Sequence, residues 1–255
     1  GENQTGTGMI LSADNISSMR TAGKVAAKIL YELKGFVVAG VSTKDIELFF
    51  DNILAQHKGM KPSFKGYNGY PSSVCVSVNE EVIHGIPSPK RIISDGDLVS
   101  VDLGIAHEGI HVDCAYTYMV GNVSDVAHKL CSVTQEALKE GIKMAYPGRN
   151  IGDIGAAIEE YVESHGFSVV RQFVGHGIGR ELHLPPEVPN FGVSGEGAKI
   201  YPNMALAIEP MVNIGGYEVD ILRDGWTVRT RDKELSAHYE HTVLITDSEP
   251  VIITG

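Results

Sequence analysis

The stretch Leu98-Val-Ser-Val-Asp102-Leu-Gly-Ile-Ala-His-Glu-Gly109-Ile-His-Val-Asp113-Cys-Ala-Tyr116 decides how the chain is read. Its two arms are rich in Val and Ile, and Ile105-Ala-His-Glu-Gly109 between them has the composition of a hairpin turn. A turn centred between His107 and Glu108 places Asp102 and Asp113 directly opposite each other, and a slip of one or two residues still leaves them close. Like charges facing across strands are destabilising. The pair therefore predicts either a cation between the carboxylates or a proton on one of them. Two solvated edge residues remain the plain alternative.

Working outward, Met204-Ala-Leu-Ala-Ile208 is an apolar run too short for a helix, and Glu209 and Pro210 follow it. A buried, unpaired carboxylate costs several kcal/mol, so Glu209 calls for a partner or a metal. In His238-Tyr-Glu-His-Thr-Val-Leu-Ile245, alternation puts Glu240, Thr242 and Leu244 on one face. Phe173-Val-Gly-His176-Gly-Ile-Gly-Arg-Glu-Leu-His183 surrounds a histidine with glycines, which permits close backbone approach and unusual dihedrals. Asp102, Asp113, His176, Glu209 and Glu240 together form a borderline-hard ligand set suited to Mn, Fe, Co or Zn, unlike a thiolate structural zinc site. Bridging carboxylates allow two ions, and two-metal sites hydrolyse peptides among other substrates. The residues alone reach a carboxylate-rich dimetal hydrolase.

Composition bounds the remaining classes. The chain has 255 residues, 43% hydrophobic and 21% charged, which is ordinary for a globular protein. No apolar run approaches the roughly 18 residues of a membrane span. There is no signal-peptide pattern, and a net charge of −11 argues against a protein held mainly by nucleic-acid phosphates. Cys75, Cys114 and Cys131 have no CxxC spacing, which fits a reducing cytoplasm better than a disulfide framework. Residues 1–8 read as a disordered leader or a cloning scar, and residues 9–255 as one domain.

Helical spacing covers 14–34, with Gly35 as its stop. Ser42-Thr-Lys-Asp45 is a capping-box pattern for a helix to about His57. Ser124 and Asn150 cap two more helices, ending before Pro147-Gly148 and at Gly166. Strand-like runs occupy 74–83, 97–103, 168–174, 204–213, 217–221 and 238–246. The order of two helices, strands, two helices, strands predicts an α+β chain built as a doubled unit.

Further motifs carry a family resemblance. They are Tyr67-x-Gly-Tyr70-Pro-x-Ser-Val-Cys75, Asn79-Glu-x-x-x-His84-Gly-Ile-Pro87, Asp97-x-x-x-x-Asp102, Asp113-x-Ala-x-Thr-x-x-Val-Gly121, the glycine-rich His176–His183 loop continued by Val188-Pro-Asn190-Phe191, Ile208-Glu-Pro210, and Ser236-Ala-x-Tyr-Glu240-His-Thr. From about residue 12 to 250 the chain resembles the type I methionine aminopeptidases of the pita-bread metallopeptidase family. Taken alone, Tyr67 and Tyr70 could be turn aromatics, Trp226 a hairpin cover and His84 a turn residue.

The resemblance implies a pita-bread fold, a pseudo-twofold doubled helix and antiparallel-sheet unit around a central dimetal cleft. It implies two divalent ions on Asp102, Asp113, His176, Glu209 and Glu240, with Asp113 and Glu240 bridging and Glu209 also the general base. His84 and His183 would bind substrate and stabilise the tetrahedral intermediate. Phe64, Tyr67, Tyr70, Cys75 and Trp226 would form the methionine pocket. Backbone oxygens of Asn79, Glu81 and Ser236 would hold Na or K. The implied activity is removal of N-terminal methionine before a small residue, from nascent chains in the cytoplasm, with transient ribosome contact and a monomeric state. Phe64, Leu182 and Leu184 depart from common choices in the family and bear on pocket shape. Only 25 residues separate His183 from Glu209, without the long insertion usual in type II enzymes. X-Pro peptidases and creatinase-like amidinohydrolases share the fold but usually carry a large extra N-terminal domain. Partner-binding relatives lose metal ligands, whereas all five are present here.

Overall fold

The hairpin forms, with a register two residues from the symmetric expectation. In the computed structural model, which describes residues 8–255, strands β4 (Leu98–His107) and β5 (Ile110–Met119) pair antiparallel with His107 opposite Ile110. The turn is therefore Glu108-Gly109, whose φ angles of 52° and 78° are those of a two-residue primed turn that matches the twist of the strands. That shift sets Asp102 opposite Ala115 and Asp113 opposite Gly104, so the two carboxylates are diagonal neighbours on adjacent strands.

The other edge of β4 pairs with β1 (Met60–Pro62) near its end and with β2 (Val74–Val78) along its first half, Cys75 opposite Asp102. Helix α1 (Ala13–Phe36) covers β4 and β5, and α2 (Thr43–Leu54) packs on α1, β1 and β2. Ser42 and Asp45 form the reciprocal cap expected of them. Helix α1 continues through Gly35, because the chain stays helical until Val37 bonds back to the Leu33 carbonyl. Helix α2 ends before His57, which lies in a turn. The buried Glu47 accepts from Ser73 N–H at 2.7 Å and pairs with Lys44, pinning the chain where it enters β2.

The second half repeats the arrangement. Helices α3 (Asp125–Lys143), capped by Ser124, and α4 (Ile151–Ser164), capped by Asn150, pack on each other. They lie against a five-stranded sheet ordered β15 (Val251–Ile252), β14 (His241–Leu244), β9 (Ala205–Ile208), β7 (Gly175–Gly177), β8 (Leu184–Val188). They also lie against a three-stranded sheet ordered β13 (Ser236–His238), β10 (Met211–Asn213), β6 (Ser168–Val169). A further sheet joins β11 (Val219–Ile221), β12 (Val228–Thr230) and β3 (Glu81–Ile83).

The long runs expected at 204–213 and 238–246 are each broken in the middle, at Glu209-Pro210 and Tyr239-Glu240. Proline lacks the ladder N–H at the first break. At the second, Glu240 leaves its own sheet to exchange backbone bonds with Ala115 of β5, at 3.0 and 3.2 Å. The runs at 74–83 and 168–174 are likewise shorter than their composition suggests. The first is interrupted by a turn at Asn79 (φ 59°), and the second is paired only at Ser168–Val169.

One core lies under α1 and α2, a second under α3 and α4, and Tyr116 packs against both. This is the pita-bread arrangement of two helix-and-sheet halves, with the site at their seam. The leader reading concerns residues outside the described range, except for Gly8, which is buried. Among the described residues no helix is long and apolar enough to cross a membrane.

Candidate metal centre and adjoining cavity

The five carboxylate and histidine candidates converge at the seam. Asp102 and Asp113 come from the first half. His176 (β7), Glu209 (after β9) and Glu240 (between β13 and β14) come from the second. His176 is carried on a strand so crowded that a Cβ at Gly175 would sit 2.3 Å from the Ala207 carbonyl, and one at Gly177 2.2 Å from the Pro185 carbonyl. The glycines are there for close backbone approach, and neither has a positive φ. His176 Nδ1 donates to the Gly177 carbonyl at 2.9 Å. That bond leaves Nε2 as the free lone pair, 3.4 Å from Asp113 Oδ2 and 3.5 Å from Glu209 Oε1.

The electrostatics of this group are out of balance as the protein side chains stand. Asp102 Oδ1, Asp113 Oδ1, His176 Nε2 and both oxygens of Glu240 are buried without a hydrogen-bond partner among the described residues. Burial, then the mutual repulsion of the carboxylates, pushes Asp102 and Glu240 well above the ordinary carboxylate range. Asp113 is raised to about 8 and Glu209 to about 7, burial being the largest cause in each. Unpaired buried charges cost several kcal/mol each, and two divalent cations would offset four carboxylates. The donors fall into two groups, Asp113, His176 and Glu240, and Asp102, Glu209, His238 and Glu240. The residues fit a dinuclear metal centre.

His238 was not among the candidates read from the sequence. It is buried, with Nε2 3.2 Å from Glu209 Oε2. The signal was available, since His238 lies two residues before Glu240 and strand alternation puts i and i+2 on one face.

A cavity of about 150 Å³ opens beside the carboxylates. Phe64, Tyr67, Tyr70, Cys75, His84, His183 and Trp226 all line it, together with Asp102, Asp113 and Glu209. Ile83, Phe173, Val174, Leu182 and Met211 complete the wall. These are apolar residues in apolar surroundings, and nothing local distinguishes them in sequence from core. Leu182 and Leu184 both belong to the core, but only Leu182 lines the cavity, so of the two it is the one that shapes the pocket. Phe64 reaches its place over Gly104, where a Cβ would come within 2.8 Å of its ring. Tyr70 donates to the Val74 carbonyl at 2.9 Å and meets Trp226 edge-on, centroids 5.1 Å apart.

His84 holds a left-handed φ of 62° and stands edge-on to Phe173 at 5.7 Å. Burial, then His238, lowers its pKa to about 4, so the ring is neutral at pH 7. His183 contacts the His176 ring at 4.2 Å, and its Nδ1 is 2.8 Å from the Tyr67 hydroxyl. Partial desolvation where the ring packs against its neighbours, then the imidazoles of His176, His84 and His111, hold its pKa well down. Of the monovalent-cation candidates, Asn79 and Ser236 adjoin, Ser236 N–H donating to the Asn79 carbonyl at 3.1 Å. The Glu81 carboxylate turns back to Val78 N–H at 2.8 Å.

The family model for metallopeptidase family M24 matches residues 17–247. The chain belongs to metallopeptidase family M24. Within that family it is 49% identical over 247 residues to a methionine aminopeptidase of Clostridium perfringens, covering 96% of this chain and 98% of the relative. It is 47% identical to methionine aminopeptidase 1 of Bacillus subtilis, covering 92% and 94%. The crystal structure of methionine aminopeptidase from Thermotoga maritima superposes with a TM-score of 0.95 at 44% identity, covering 97% of this M24 chain and 99% of that one. A prolidase from Pyrococcus horikoshii shares the fold, with a TM-score of 0.78 at 21% identity over 96% of this chain and 63% of its own.

Proposed function

We propose that this M24 chain is a methionyl aminopeptidase that hydrolyses the bond after an N-terminal methionine when the next residue is small. One observation carries the reading: a narrow, mainly apolar cavity ends on the buried carboxylates with His84 and His183 at its wall. An unbranched apolar side chain can fill it while the following peptide bond lies at the metal centre.

Asp102, Asp113, His176, Glu209 and Glu240 would hold two divalent ions, Mn, Fe, Co or Zn. When bound, such ions polarise a carbonyl and lower the pKa of a coordinated water. Glu209, its carboxylate raised toward neutrality by burial, accepts the proton of the attacking water and passes it to the leaving amine. His84 and His183 donate to the carbonyl oxygen as the carbonyl carbon becomes tetrahedral and charge builds on that oxygen, and both suit that task as neutral imidazoles with one N–H each. Tyr67 fixes the His183 ring through Nδ1. Phe64, Tyr70, Cys75 and Trp226 grip the methionine side chain. Backbone oxygens at Asn79, Glu81 and Ser236 would take one Na or K. We place the enzyme in the cytoplasm as a monomer acting on nascent chains near the ribosome; three free, buried thiols suit that compartment.

The test is a set of tripeptides differing at the first two positions. Met-Ala-Ser should be cleaved at least about 100-fold faster than Leu-Ala-Ser or Met-Leu-Ser, since pocket fit of this kind discriminates by roughly 10–200-fold per group. Preferential cleavage of Ala-Pro-Ser would instead make the chain an X-Pro peptidase.

A further inference from the structure

Each of the two donor groups contains one imidazole. His176 stands with Asp113 and Glu240, and His238 stands with Asp102, Glu209 and Glu240. The Glu209 carboxylate lies between the rings, Oε1 3.5 Å from His176 Nε2 and Oε2 3.2 Å from His238 Nε2. Two donors bound to one first-row ion at roughly 2.0–2.2 Å each lie about 2.8–3.6 Å apart, from octahedral to tetrahedral angles. Both separations fall in that range, as does the 3.4 Å between His176 Nε2 and Asp113 Oδ2.

His238 is also held firmly. It is 1% exposed, and its backbone N–H and carbonyl both bond to the Thr117 hydroxyl, at 2.9 and 2.8 Å. A hydrogen bond from Nε2–H to Glu209 would satisfy Glu209 alone. It would leave Asp102 Oδ1 and both Glu240 oxygens without partners. A cation that takes the Nε2 lone pair together with these oxygens satisfies all of them.

We propose that His238 is a sixth protein ligand, so that each ion of the centre has its own imidazole. This goes beyond the five-residue set that the motifs imply, and it rests on the dimetal reading given above. The arrangement makes the Asp102 ion a mixed nitrogen and oxygen site, which shifts its preference toward metals that favour imidazole, such as Zn, Fe or Co, over Mn.

The experiment counts coordinated imidazoles. Metal-stripped protein is loaded with cobalt chloride, binding is followed by calorimetry, and proton NMR spectra are recorded in H2O and D2O. An imidazole bound through Nε2 keeps Nδ1–H, whose resonance is shifted far outside the ordinary range by Co(II) and is lost in D2O. The proposal expects two such resonances in the wild-type protein at two equivalents of cobalt, and one in His238→Gln. It further expects His238→Gln to weaken one cobalt-binding step by more than about 100-fold, beyond the 10–100-fold typical of an outer hydrogen-bond partner, with the other step unchanged. A single resonance in the wild-type protein overturns the assignment even if His238→Gln does not fold, and makes His238 a hydrogen-bond donor to Glu209. Two equivalents bound with one resonance and intact Met-Ala-Ser cleavage would remove His238 while keeping the proposed function. Failure to bind two equivalents would remove the dimetal reading and this proposal with it.

Discussion

The Thr242 hydroxyl accepts the backbone N–H of Asp113 at 2.9 Å and donates to the carbonyl of the same residue at 2.8 Å. Four residues earlier in the chain, His238 receives the same treatment from Thr117, which lies four residues after Asp113. Ala115 and Glu240 pair by backbone bonds midway between the two threonines. The two halves of the protein thus meet through a reciprocal clasp centred on a metal-ligand candidate.

The clasp predicts a clean contrast between isosteres. Thr242→Val keeps shape but removes both bonds and leaves a buried N–H unpaired, so it should destabilise the protein by about 2–4 kcal/mol. Thr242→Ser should stay within about 1 kcal/mol of wild type. Denaturant midpoints measure both, and equal midpoints for the two variants would deny the hydroxyl this role.

His84 predicts a pH dependence. Its pKa is about 4 when folded and roughly 6.5 when unfolded. Between those values the unfolded chain binds more protons, so stability falls as pH drops from 6.5 toward 4, by up to about 1.4 kcal/mol per pH unit. His84→Asn tolerates the left-handed backbone and should flatten that slope relative to wild type, the other histidines being common to both. Parallel unfolding curves at pH 4.5, 5.5 and 6.5 provide the test; identical slopes would contradict it. His84→Gly should lower kcat by about 10²–10³ while leaving metal content unchanged.

Cys75 lines the cavity, but burial, then Asp102, pushes its thiol pKa well above the ordinary value. It should react slowly with iodoacetamide at pH 7.5, since the thiolate is the reactive form. Once alkylated, it should block the cavity and stop cleavage, and bound methionine should slow both. Peptide mapping separates it from Cys114 and Cys131. Rapid alkylation at full activity would take Cys75 out of the pocket.

Glu240→Gln removes a carboxylate that belongs to both donor groups. Metal analysis should find both ions depleted and turnover lost, whereas loss of one ion alone would make Glu240 a terminal ligand.

How much of this was legible in the sequence depends on the range of the forces involved. The helix caps at Ser42, Ser124 and Asn150, and the acidic residues set in apolar runs, are local features and read directly. The hairpin register departs from the symmetric expectation because the turn is decided by the positive φ available to Glu108-Gly109, not by the symmetry of the arms. The helix runs past Gly35 because packing outweighs the roughly 1 kcal/mol propensity cost of one glycine. The strand break at Glu240 and the clasp by Thr117 and Thr242 arise from contacts between residues more than 120 positions apart, which no local pattern encodes. His238 was legible by alternation but lacked a motif to draw attention to it.

The most direct measurement is release of free methionine from Met-Ala-Ser by metal-stripped protein titrated with Co(II), Mn(II), Fe(II) or Zn(II). A dinuclear aminopeptidase predicts no release from the stripped protein, and activity that appears with at least one of these metals and reaches its plateau by two equivalents. Methionine release that is undiminished in the stripped protein, or none with any of the four metals, would contradict it.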